Sequence, residues 1–326
     1  MRQYHLGRAL AQAQPNIALV KYWGKRDIRR NLPETGSLSV TLEALWTRME
    51  VELDPSLEAD SLSVDGRDVP ELLPRVSRCL DQVAGPDRPR ARVASETNFP
   101  VGAGLASSAA AFAALVVAAN RAAGKAHDAL TLARLAGAQS GSAARSLFGG
   151  IVALDAGQDE IAVESLCAAR DWALEVLVAI TDRHAKPVGS SEAMRRCAET
   201  SPFYRYWVDR QSADLGAARR AVTLRDFASL AATAEHNCLK MHSLMWTSRP
   251  PIVYWNDATI GCMQAVRELA AGGCPVFFTI DAGPQVKAVT LPDETARVRE
   301  ALAAVPGVLE VLHSTLGGGA RLLETA

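Results

Sequence analysis

A few residues of this chain are of types, and in contexts, that could bind or move charge. The string PVGAGLASSAAAF (Pro100–Phe112) joins a strand to the start of a helix. Its small residues let a ligand approach the backbone closely. The unpaired N–H groups of a first helical turn, with the helix dipole, favour an anion there. Ser107 and Ser108 add hydroxyls for phosphate oxygens or a divalent cation. No Gly-Lys-Ser/Thr follows, and the GxGxxS spacing lacks the third glycine of a dinucleotide fingerprint. Taken alone, the string also reads as a tight helix entry. Asp281 ends an apolar strand beside a glycine turn. It could accept or orient a hydroxyl proton, or serve as the turn residue ahead of Gly283 and Pro284. Arg145 follows the small residues Ser140–Ala144 and could hold a carboxylate bidentately. Alone it reads first as a helix-end arginine complementing the dipole. Of 35 basic residues only six are lysines, and Lys21 and Lys25 stand four apart, where compact point charges suit an anion.

The elements that must position these groups follow from pattern. Residues 14–26 form a strand entering a loop, SLSVTLEALWTRMEVEL gives two strands, residues 54–70 carry turn signals, and 71–84 are helical. ARVASETNF is a strand; helices follow over about 105–123 and 128–146, and LFGGIVALDAG returns as a strand. Residues 171–183 hold an apolar strand, 191–244 are mostly helical, and 254–271 is another helix. A hairpin turning at AGPQ, a helix near 293–304 and a last strand VLEVLHST close the chain. Each half is strand-rich and then helical, an α+β sandwich of two lobes divided near residue 180, as 1–180 and 181–326.

Composition excludes several classes. The 326 residues are 48% hydrophobic with a net charge of −1, so the chain can bury a large core and is not a nucleic-acid binder acting through a global basic field. The longest apolar run, Ala109–Ala119, is eleven residues against the roughly 20 that span a bilayer. The opening MRQYHLGRALAQAQPN has no apolar core or cleavage site of a signal peptide, and the six scattered cysteines show no metal-ligand spacing. A soluble cytoplasmic enzyme with reduced thiols is expected, with no membrane or nucleic-acid partner.

The glycine-serine string resembles the second motif of the GHMP kinase superfamily. PNIALVKYWGKRD (15–27), NLPETGSLSVTL (31–42), GSAARSLFGG (141–150), PPIVYWND (250–257) and FFTIDAGPQ (277–285) resemble one branch of it, the diphosphomevalonate decarboxylases. The motifs run from residue 15 to 285. A plain small-molecule kinase would account for the string but not for KYWGKRD or RSLFGG. A binding module that had lost chemistry would not need Asp281, Lys21 and Arg145 together.

The resemblance implies a GHMP kinase-like fold, with a ribosomal-protein-S5-like N-terminal lobe and a ferredoxin-like C-terminal lobe. It implies ATP-dependent decarboxylation of 5-diphosphomevalonate to isopentenyl diphosphate, with Mg2+ accompanying ATP, in a homodimer. Variants acting on 5-phosphomevalonate or mevalonate share the pattern. Asp281, Lys21 and Arg145 would be catalytic. Asn16 and Tyr22 would line the mevalonate pocket, Lys25 and Arg75 would face the diphosphate, and Ser142, Ser190 and Ser191 would add hydroxyls. ATP would meet Asn98, Gly102, Ala103, Gly104, Leu105, Ser107, Ser108 and Lys186, with Ser108 on the metal. Two departures stand out. The loop 186–194 reads KPVGSSEAM, its glycine displaced from the family position, and Val101-Gly102 stands where Thr-Ala is common. Trp23 and His242 are expected to pack rather than act.

Overall fold

A computed structural model of the chain describes residues 7–99 and 104–323. The first half runs β1 (Arg8–Ala13), β2 (Asn16–Val20), a short pair β3 (Lys25–Asp27) and β4 (Leu32–Pro33), β5 (Ser37–Thr41) and β6 (Thr47–Asp54). The hairpin β7 (Ser61–Val64) and β8 (Arg67–Asp68), α1 (Leu73–Ala84), β9 (Arg90–Thr97), α2 (Ser107–Ala122) and α3 (Ala129–Gln139) follow. A single turn α4 (Ala143–Ser146), then β10 (Ile151–Ala156) and β11 (Ile161–Cys167), complete it. The second half comprises β12 (Glu175–Ile180), α5 (Ser190–Thr200), α6 (Tyr204–Leu224), α7 (Phe227–Trp246) and α8 (Asp257–Ala271). It ends with β13 (Val276–Ile280), β14 (Val286–Thr290), α9 (Thr295–Ala303), β15 (Glu310–Thr315) and β16 (Arg321–Leu323).

Three larger sheets result, in strand orders β16-β1-β6-β9-β7-β8, β11-β10-β5-β2 and β13-β14-β12-β15. In the first, β6 alternates buried and half-buried residues and β9 buried and mostly exposed ones, so one face is covered, by a core shared with α1, α2 and α3. Alanine-rich α2 buries nearly all round, and its small side chains let it lie close on β1 and β6. Strands β2, β5, β13 and β14 are buried at every position. A core containing Ile17, Leu38, Val40, Val176, Val178, Phe277 and Val289 packs the second sheet against the third. The far face of the third sheet buries Leu177, Phe278, Ile280 and Ala288 under α8 and α9.

The sequence pattern is met for the strands on either side of residue 45, for α1, for α2, for the hairpin β13–β14 and for the closing helix and β15. It is corrected elsewhere. The helix expected over 128–146 breaks: α3 ends at Gln139, Ser140 is extended, and a separate turn begins at Ala143. Strands β1, β11 and β16 were not expected, nor was the hairpin β7–β8, whose Asp65-Gly66 turn has positive φ at both residues. Dividing the chain at residue 180 would part β12 from its two partners, β14 and β15, and β16 from β1. All six cysteines are buried and free. Among the described residues no helix is long and apolar enough to cross a membrane.

Candidate active site

Where β2 and β13 end side by side, the chain opens a cavity of about 600 Å³. Lys21 leaves β2 just beyond a bulge at Ala18–Val20, and Asp281 follows the last residue of β13. Lys21 is 1% exposed. Its Nζ donates to Asp281 Oδ1 at 2.7 Å and to the Ala18 carbonyl at 2.7 Å. Its backbone is fixed as well: its N–H donates to Asn237 Oδ1 on α7, and its carbonyl accepts from Gln211 Nε2 on α6.

Asp281 has two differently used oxygens. Oδ1 is on Lys21, whereas Oδ2 has no hydrogen-bond partner among the described residues and only the Lys287 ammonium 3.5 Å away. Burial pushes its pKa up, but the ammonium groups of Lys21 and Lys287 pull harder, and the net shift is below the ordinary carboxylate value.

Arg145 is 1% exposed on the one-turn α4. Its guanidinium donates to Ser39 Oγ at 2.9 Å, to Ser37 Oγ and to Asn16 Oδ1 at 3.2 Å. Ser37 and Ser39 reach it from one face of β5 because strand side chains repeat every second residue. All three partners are neutral, and no carboxylate of a described residue lies within 4 Å of the guanidinium. Burial lowers its pKa to about 10, with the Tyr22 and Asp281 charges acting the other way. A buried cation without an anion is costly, and a ligand carboxylate would offset the cost.

Tyr22 lies against Gly141, where a Cβ would fall 2.2 Å from the phenolic oxygen. That oxygen is buried with no partner among the described residues, and burial pushes the phenol up to about 12. Asn16 Nδ2 donates to the Ser142 carbonyl at 2.9 Å and to Ser146 Oγ at 2.7 Å. Lys25 Nζ donates to Ser191 Oγ at 2.9 Å, and Arg75 donates to the Gln139 carbonyl while stacking 4.4 Å over Phe112. Burial lowers the pKa of both cations, and Arg75 lowers that of Lys25 further.

On the other side lies the N-terminus of α2. Gly104 has φ +83°, and a Cβ there would stand 3.2 Å from Gly283 Cα, so the loop and the turn after Asp281 touch. Ser108 Oγ lies 3.2 Å from Ser140 Oγ, which is 3.4 Å from Ser142 Oγ. Lys186 donates to Ser190 Oγ at 2.7 Å and to the Ala282 carbonyl at 3.0 Å; burial lowers it to about 8, despite Asp281.

The cavity is thus lined by Asn16, Lys21, Tyr22, Lys25, Arg75, Gly104, Ser107, Ser108, Ser142, Arg145, Lys186, Ser190, Ser191 and Asp281, all singled out by sequence. Two others are elsewhere. Leu105 is in the core between the sheets. Asn98 holds the 44–46 turn, accepting from Trp46 N–H and donating to the Ala44 carbonyl. Gly102 and Ala103 lie outside the described residues. Trp23 packs at 3% exposure with Trp207 and Met241 while touching the cavity, and His242 is fully buried, bonded to the Ile280 carbonyl.

Sequence reasoning missed Lys287, Asn237, Gln211, Ser37 and Ser39. The signal for Lys287 was a rare lysine inside an apolar strand, and for the serines their period of two opposite a buried arginine. A second cavity of about 370 Å³ shares Asn31, Gln139 and Gly141 with the first and is lined by Arg29, Arg30, Arg78 and Arg134 with Asp159 and Glu160.

No group of three or more His, Cys, Asp or Glu among the described residues could hold a metal ion. A metal here would therefore arrive with phosphate oxygens as most of its ligands, and a serine hydroxyl beside the α2 N-terminus fits that demand.

Known proteins resemble this chain along nearly its whole length. Residues 13–167 match the diphosphomevalonate decarboxylase-like N-terminal domain, and 176–316 match the mevalonate 5-diphosphate decarboxylase C-terminal domain. The diphosphomevalonate decarboxylase of Eremothecium gossypii is 35% identical, over 94% of this chain and 83% of the relative. That of Homo sapiens is 33% identical, over 92% and 80%. Mevalonate diphosphate decarboxylase from Staphylococcus aureus superposes with a TM-score of 0.91 at 33% identity, over 98% of each chain. MDDEF solved in complex with MVAPP, AMPPCP and magnesium superposes with a TM-score of 0.90 at 34% identity, over 98% of this chain and 99% of that one. The protein belongs to the diphosphomevalonate decarboxylase family.

Proposed function

We propose that this protein carries out the ATP-dependent decarboxylation of (R)-5-diphosphomevalonate, giving isopentenyl diphosphate, CO2, ADP and phosphate. The observation that carries the reading is the meeting of an ionised carboxylate, a buried lysine and an anion-less buried guanidinium in one cavity beside the N-terminus of α2.

In this reading the substrate's 3-hydroxyl faces the Asp281 carboxylate, which lines the cavity. Asp281 takes the hydroxyl proton as the oxygen attacks the γ-phosphorus of ATP, while Lys21 holds the carboxylate in line and stabilises charge on the transferring group. Ser108 would be the protein hydroxyl offered to magnesium arriving with the nucleotide, and the ion would supply neutralisation of phosphate charge. Arg145 receives the substrate carboxylate. The C3–O bond breaks with release of phosphate, the electrons of the C1–C2 bond form the new double bond, and C1 leaves as CO2. Lys25, Arg75, Ser190 and Ser191 grip the diphosphate, with Asn16, Tyr22 and Ser142 around the mevalonate carbons. Lys186 and the α2 terminus hold ATP. The proposal takes the protein to be a cytoplasmic homodimer, as the resemblance implies.

The test is turnover on 5-diphosphomevalonate, 5-phosphomevalonate and mevalonate, with ADP and CO2 scored separately. Equal ADP and CO2 from the diphosphate is expected. ADP without CO2 would make the protein a 3-kinase and overturn the reading. Asp281→Ala should form neither product, a loss of at least about 10²-fold, with ATP still bound. Arg145→Gln should lose CO2 release far more than ATP affinity.

A further inference from the structure

Lys287 is fully buried at the second position of β14, on a strand otherwise lined with Val, Ala and Thr. Strand alternation puts it on the face shared with Val289, toward the second sheet, opposite Thr279 of β13. It is not among the residues lining the cavity. Its Nζ donates to the Gly104 carbonyl at 2.9 Å and stands 3.5 Å from Asp281 Oδ2. One ammonium therefore touches both the first described residue of the turn that enters α2 and the carboxylate of Asp281. Burying an ammonium costs several kcal/mol unless it is paired, so its place in a packed strand calls for a purpose.

We propose that Lys287 is a positioning residue that ties the phosphate loop to Asp281, so that the nucleotide and the proton acceptor are held in register by a cation neither of them contacts from the solvent side. The proposal rests on the functional reading above. Its charge has two effects. It favours ionised Asp281, and it anchors Gly104, whose Cα-side surface already abuts Gly283. The other groups facing Asp281 are Lys21 at the end of β2, Arg145 on α4, Lys186 ahead of α5, and Cys238 and His242 on α7. Lys21 engages Oδ1, and Lys287 is the cation whose ion pair falls on the buried Oδ2, so the two ammonium groups hold the carboxylate at both oxygens.

The sign of the pH effect follows. Removing Lys287 raises the pKa of Asp281, and a protonated Asp281 cannot accept a proton, so the acid limb of kcat/KM moves to higher pH. Lys287→Met keeps the volume and removes the charge; Lys287→Gln serves if the Met variant does not fold, with thermal melting as the check. We expect the acid limb to move up by about one pH unit, a tenfold change in proton affinity. The affinity for a non-hydrolysable ATP analogue, measured by calorimetry, should fall at least about fivefold through the lost Gly104 anchor. The calorimetry needs no turnover, so it stands even if wild-type protein forms no CO2, the outcome that would sink the functional reading alone. A folded variant with wild-type acid limb and wild-type analogue affinity would overturn the proposal.

Discussion

Four of the chain's six lysines, Lys21, Lys25, Lys186 and Lys287, surround Asp281 or line the cavity beside it. Each has a short oxygen partner, and none is an exposed ornament. Lys186 is the one whose charge is poised to change in an accessible range. Burial lowers its pKa to about 8; the Asp281 carboxylate resists and the Lys287 ammonium adds to the fall. A lysine with a depressed pKa carries its charge below that value and loses it above. With ATP as its partner, the KM for ATP should therefore rise as pH climbs past about 8 in the wild type. Lys186→Met should show a raised KM that is flat across the same interval. Steady-state KM measurements from pH 6.5 to 9.5 check this, and a wild-type KM independent of pH would remove Lys186 from the nucleotide site.

At the scale of elements, the site depends on a break that local pattern hid. The stretch 128–146 is alanine-rich and reads as one helix, yet it must turn at Ser140–Gly141 to bring Arg145 inward and to make room for Tyr22. Gly141 is the residue that permits this. A Cβ would lie 2.2 Å from Tyr22 Oη, 2.3 Å from Cζ and 2.7 Å from Cε2, so the whole ring must move rather than only a flexible tip. Displacing a substrate-facing group by about 1 Å can cost around 10²-fold, and we expect Gly141→Ala to lose kcat/KM by that order while ATP-analogue affinity stays within twofold. The same physics explains what was legible. Strands β2, β5 and β13 are apolar runs stopped by turn residues, and their ends are where the chemistry sits. Strand β1 is RALAQA, with no β-branched residue, and β16 is three residues long; both exist because β6 and each other supply the pairing. The contact of Lys21 with Asp281 spans 260 positions and no local rule reaches it, so only the family resemblance joined them before the fold did.

Over the whole molecule, the cavity takes its walls from both halves of the chain. Asn16, Lys21, Arg75 and Arg145 come from the first, and Lys186, Ser190, Ser191 and Asp281 from the second. The halves also share one apolar core between the second and third sheets, and β16 returns from the C-terminal end to pair with β1. Neither half can melt without exposing that core, so unfolding should be a single transition. A ligand in the cavity touches both halves and adds its binding energy to that transition as a whole. At a hundredfold excess over Kd the gain is about 2.7 kcal/mol, which for a chain of this size corresponds to a rise in Tm of about 4 °C. Diphosphomevalonate should give this shift in wild-type protein. Arg145→Gln should give less, because its guanidinium is the buried cation that lacks an anion until the substrate carboxylate arrives. Two separate transitions in a calorimetric scan, with the ligand moving only one, would mean that substrate is held by one half and that the shared cavity is not where it binds.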